Sequence, residues 1–255
     1  MKLRAFRLNL GAPIEAILID LRKGAAMSAF LLRTISFAVA LGAAGVQGAS
    51  SFAQSSDPAT LWSAPEAGGP RRLQTLQAGG ELYAAPATGS DLLGALAPGT
   101  LLLNHGCEAT TGEAWCQVTP LHGGAKGYVL ASSVSPAIGP DGVLPTGVDT
   151  SKRRAKSRDF DARSSFPCAQ EQGQQMGECA GAVARGGGGD ATVVATFPNG
   201  FSRLLYFTHG AFMRGNATMS GVGIDTDWSL QDGAYQIRVD DQRFAIPVEF
   251  VLGRK

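Results

Sequence analysis

Four cysteines, three histidines and a few spaced carboxylates are the side chains of this 255-residue chain that could carry chemistry. A cysteine can act as nucleophile, metal ligand or bridge, and its spacing and neighbours separate these roles. Cys107 with Cys116 and Cys168 with Cys179 form two local couples, nine and eleven residues apart. Such separations lack the Cys-x2-Cys knuckles that build a structural zinc site. A cysteine peptidase would need a free thiol beside a histidine base and a polar orienting group. His209 is the only histidine in the C-terminal hundred residues, and each cysteine has a nearby partner able to oxidise it. Two short-loop disulfides are the expected use of all four thiols, with zinc binding and nucleophilic catalysis as the competing uses.

The remaining candidates are weaker as chemistry. His105, His122 and His209 are scattered beside glycine-type turns, which reads as surface turns, and no metal or cofactor is expected. Glycosidase chemistry needs two carboxylates on one cleft. Glu171 with Glu178, or Asp225 with Asp227, supply such pairs by type, though solvated loop acids are the plainer use. Gly186-Gly187-Gly188-Gly189-Asp190 lacks the Lys-Ser/Thr of a phosphate-cradling loop and the repeated Asp of a calcium turn, and reads as a flexible connection. Lys152-Arg153-Arg154-Ala155-Lys156-Ser157-Arg158 carries five cations in seven residues, a solvated linker or a contact for anionic headgroups or wall polymers.

The elements that must position these residues are short. Thirty-four glycines and thirteen prolines with 17% charged residues suit strands and turns rather than long helices. Residues 34–46 form an uncharged, mostly apolar run of signal-peptide length, too short to span a bilayer. Ser51-Phe52-Ala53 then places small residues at −3 and −1 of a cut before Gln54, so residues 1–53 are the expected leader, with translation starting at Met27. No cysteine follows the run, and no transmembrane anchor is expected after cleavage. The leader holds six of the 22 basic and two of the 21 acidic side chains, leaving 16 against 19 in residues 54–255, a net charge of −3. That field is too weak for phosphate neutralisation, and nucleic acid is not an expected partner.

Residues 54–72 read as a flexible spacer and residues 137–158 as a linker, because Ala, Pro, Gly, Ser and then basic residues dominate them. Residues 73–136 and 159–255 read as two small domains rich in strands. In the second, Ala191–Phe197 and Phe201–Thr208 flank Pro198-Asn199-Gly200 as a hairpin. Tyr235–Val239 and Arg243–Ile246 flank Asp240-Asp241-Gln242 as another, and Pro247 limits the strand that follows.

Glu81-Leu82-Tyr83-Ala84-Ala85-Pro86, Leu92-Leu93-Gly94-Ala95-Leu96-Ala97-Pro98-Gly99-Thr100, Trp115-Cys116-Gln117-Val118 and Gly127-Tyr128-Val129 occur in an order that resembles the bacterial SH3 domain. The usual Arg after the first strand is missing, Gly-Pro has become Ala85-Pro86, and the second Trp of the family is Tyr128. The resemblance covers about a quarter of the chain. It implies a small SH3-like barrel followed by a C-terminal antiparallel β domain, in a mainly β chain. It also implies an aromatic ligand groove at Tyr83, Trp115 and Tyr128, with a core position as the alternative for Trp115. The region from Phe166 to Val194 is similar to a C-terminal region that accompanies such modules in exported bacterial proteins.

Together these features lead to a periplasmic or secreted binding protein of the cell envelope, not an enzyme, with peptidoglycan or an envelope protein as partner. A cell-wall hydrolase or its accessory subunit, and an inhibitor of a lytic enzyme, are the alternatives.

Overall fold

The computed structural model of the chain describes residues 61–110, 112–217 and 225–253; the expected leader and cleavage site lie outside them. The described residues form two antiparallel sheets, as a mainly β chain requires. The first contains β1 (Arg72–Thr75), β2 (Gly80–Tyr83), β3 (Leu92–Leu96), β4 (Leu101–Ala109), β5 (Ala114–Pro120), β6 (Gly127–Leu130) and β7 (Val134–Pro136), ordered β3-β2-β6-β5-β4-β1-β7. It curls around Leu73, Leu82, Leu102, Cys116, Val118 and Val129. Alternation sets the two faces: in β5, Cys116 and Val118 point to this core while Trp115, Gln117 and Thr119 point away from it.

The second sheet contains β8 (Ala162–Ala169), β9 (Gly177–Gly187), β10 (Asp190–Thr196), β11 (Ser202–Thr208), β12 (Ala211–Gly215), β13 (Thr226–Gln231), β14 (Ala234–Val239) and β15 (Gln242–Pro247), ordered β12-β11-β10-β9-β8-β15-β14-β13. Both expected hairpins form, as β10 with β11 and β14 with β15. Their core-facing positions include Val193, Leu205, Phe207, Tyr235, Ile237, Phe244 and Ile246, all at most 2% exposed. Each such side chain contributes roughly 1.5–3 kcal/mol by leaving water. The sheet bends until β12 touches β14, and the ring of Phe207 on β11 meets that of Tyr235 on β14 at a tilt of 59°, centroids 5.0 Å apart.

Two short helices complete the fold. In α1 (Ser151–Lys156) the Asp149 carboxylate accepts from the backbone N–H and the hydroxyl of Ser151, both at 2.9 Å, and buried Ala155 helps seat the helix on β9 and β10. Beyond Pro247, α2 (Val248–Leu252) buries Phe250, Val251 and Leu252 in the second core. Arg185 donates to the carbonyls of Phe250 and Val251 at 2.6 and 3.1 Å, occupying acceptors that the helix end leaves open.

All four cysteines are bridged. Cys107 and Cys116 sit opposite each other in β4 and β5, and Cys168 and Cys179 tie β8 to β9.

Where they are described, the segments read as spacers make specific contacts. Leu61 and Trp62 pack against the first core, a 3-10 turn runs over Pro65–Ala67, and the Asn104 amide donates to the carbonyls of Ser63 and Pro70, both at 2.8 Å. Within 137–158, Ala137 is fully buried, Thr146 bridges Pro70, and the basic run contributes α1. Composition reports local chain stiffness, whereas here side chains from distant strands satisfy these backbones.

The glycine tract is likewise a packed turn between β9 and β10. Gly188, at φ +66°, lies so close to Pro145 that a Cβ there would stand 2.4 Å from the proline ring. Arg72, which opens β1, and Arg71 just before it both reach Asp190, at 2.9 and 2.8 Å. Arg72 also donates to the Gly188 carbonyl at 3.2 Å, and Arg71 to that of Gly186 at 3.1 Å. Arg72 and Asp190 are 2% and 4% exposed, so this ion pair is buried where the two sheets meet.

Candidate functional site

The outward face of the first sheet brings together Tyr83, Trp115 and Tyr128. In β2, Leu82 turns into the core, which turns Tyr83 out. Across the ladder Tyr83 faces Tyr128, and Tyr128 faces Gln117. The rings of Tyr83 and Trp115 meet edge to face at 5.6 Å, a favoured arrangement for aromatic quadrupoles. Trp115 is only 2% exposed, yet strand alternation places it on the opposite side of the sheet from the apolar core. Tyr83 and Tyr128 beside it are half-buried and present part of their rings to solvent.

Beside these rings is a cavity of about 170 Å³ lined by Pro86, His105, Glu108, Trp115, Gln117 and Tyr128 among others. The Gln117 amide donates to the Tyr128 hydroxyl at 2.8 Å, which fixes that ring. The Tyr83 hydroxyl donates to the Glu81 carboxylate, and this bond pushes the phenol above its ordinary range. Burial, and then the Lys126 charge, hold His105 below the usual imidazole range, so near pH 7 it borders the cavity uncharged, 3.0 Å from the Thr119 hydroxyl. The arrangement offers aromatic rings, the carboxylates of Glu81 and Glu108, and amide and hydroxyl groups, a set suited to holding a ligand.

Elsewhere the candidate residues do not converge. His209 bonds through its backbone N–H to Asp190 at 3.1 Å, its Nδ1 is buried with no hydrogen-bond partner among the described residues, and both cysteines of the second sheet are bridged to each other. Asp225 is held by Arg238 at 2.7 Å, and that hydrogen bond keeps its carboxyl below the ordinary range. Asp227 accepts from the Trp228 N–H at 2.8 Å. Among the described residues no group of three or more His, Cys, Asp or Glu is placed to hold a metal ion.

Pro86 and Gln117, named in the sequence only as parts of motifs, and Glu108, not named there, also line the cavity. The available signal is parity: Gln117 is two residues from Trp115 on one strand and so shares its face.

Comparison of the chain with protein-family models, with curated proteins and with solved structures returns no match in any of the three.

Proposed function

We propose that this chain is a non-catalytic binding protein of the bacterial cell envelope, periplasmic or secreted through a cleaved signal peptide. Its ligand, peptidoglycan or an envelope protein, is held at Tyr83, Trp115 and Tyr128. The observation that carries this reading is the gathering of those three rings, from three different strands, on the outside of the first sheet, with Trp115 and Tyr128 lining one cavity and Tyr83 packed edge to face on Trp115. The bacterial SH3 reading calls for a small barrel, and the first sheet is antiparallel and curled around its own core, with β1 between β4 and the final β7. Both thiol couples are bridged, which suits an oxidising compartment. No helix among the described residues is long and apolar enough to cross a membrane.

Co-sedimentation with purified peptidoglycan sacculi at low salt tests the wall form. The intact protein should pellet with the sacculi. Replacing Tyr83 and Tyr128 by alanine should weaken retention about tenfold, equivalent to about 1.4 kcal/mol. If the intact protein stays in the supernatant, the partner is instead a protein, and a photo-crosslinker at position 83 should trap it in the native envelope. Failure of both experiments removes the reading.

A further inference from the structure

A second surface lies on the outer face of the other sheet, remote in sequence from the three aromatic residues. There α1 covers the row containing Thr192, whose hydroxyl meets that of Ser151 at 3.1 Å, and leaves the next rows of β9, β10 and β11 open. The opening is a groove of about 530 Å³ whose floor includes Ala182, Val194 and Leu204 and whose rim carries Lys156, Arg158 and Arg163. Residues 137–255 contain 13 basic and 13 acidic side chains, so the cations on this rim reflect placement in the fold and not composition. Arg154 on the same helix is neutralised by Asp159 and Asp161, both at 2.8 Å, whereas the three rim cations make no ion pair among the described residues. All three are exposed.

The geometry points to this groove as a binding site for an acidic, partly apolar segment of a partner protein, with carboxylates on Lys156, Arg158 and Arg163 and apolar side chains on Val194 and Leu204. Charge complementarity selects an acidic occupant. The floor selects a polypeptide over a glycan. The Thr196 and Ser202 hydroxyls bond each other at 2.8 Å, and the rim's single ring, Phe160, is already covered by the Arg163 guanidinium at 4.8 Å. A sugar would find no bare aromatic platform and, on the floor, hydroxyls already engaged with each other, while Val194 and Leu204 accept leucine-like side chains.

The probe is a short fluorescein-labelled peptide alternating glutamate with leucine, titrated by anisotropy into the intact protein. Binding at low salt that weakens as salt rises is expected. The variant K156E/R158E/R163E should bind at least tenfold more weakly, and so should L204D, which keeps every cation. R153E, on α1 but outside the groove, should bind as the parent does, and near-UV circular dichroism should confirm folding of each variant. The Tyr83→Ala, Tyr128→Ala double variant should also bind as the parent does, which keeps this test separate from that of the first sheet. Unchanged binding by the triple variant, equal binding of a lysine-leucine peptide, or preference for phosphatidylglycerol vesicles over the acidic peptide would each overturn the assignment.

Discussion

Single side chains decide the junction between the sheets. Asp190 receives two arginines in a region almost free of water, and neither guanidinium has another carboxylate as near. A buried pair contributes little relative to an apolar replacement, but removing one member leaves an uncompensated charge, which costs about 3–5 kcal/mol. Asp190→Asn should therefore lower the urea midpoint far more than Asp225→Asn, whose partner Arg238 is 41% exposed and can turn to water. Equal losses in the two variants, measured by equilibrium unfolding, would show that the Arg72–Asp190 contact is not what holds the junction. The same contrast between burial and exposure separates Trp115, 2% exposed, from the half-buried Tyr83 and Tyr128, the two residues that the proposed binding role would use for contact.

At the scale of elements, the disulfides and the strand pairs depend on each other. Each bridge closes a loop of about ten residues, for which the chain-entropy estimate is about 3 kcal/mol. The two should not be equal in practice. Cys168 and Cys179 are 2% and 0% exposed within the second core, so replacing both with alanine opens a cavity as well as the loop, whereas Cys107 lies at the edge of the first core. C168A/C179A is expected to lower stability more than C107A/C116A, and chemical denaturation of the two variants side by side checks the order.

Across the whole molecule, the junction gives stability a pH dependence. His209 is held below its usual range first by burial, then by the Arg72 charge; Asp190 and Asp141 act in the opposite sense and His122 adds slightly to the lowering. A depressed pKa means that the folded state binds fewer protons than the unfolded chain. Stability is then complete above the ordinary imidazole value of 6.5 and declines as pH falls below it. His105 adds to the same decline from the first sheet. His209→Asn removes the titration and retains a residue that tolerates φ +50°, so the fall in melting temperature from pH 7.5 to about pH 5 should become shallower. An unchanged slope would place the proton uptake elsewhere.

By itself the sequence determined what depends on near neighbours along the chain. Turn residues and β-branched runs specified both hairpins of the second sheet, because a strand's period and its turn are properties of adjacent residues. The paired spacing of the thiols indicated the two bridges for the same reason. The second strand of the first hairpin alternates loosely because Arg203 occupies a core-facing position, a placement stabilised by the Gln242 side chain 39 residues away at 2.7 Å. Tertiary structure alone decided the rest. It made the Ala- and Gly-rich segments into packed connections, turned the glycine tract into a latch around Asp190, and separated paired from unpaired cations along α1. Each of these outcomes depends on which distant strand supplies a carboxylate, a carbonyl or a proline at contact distance, and no local pattern encodes such a partner.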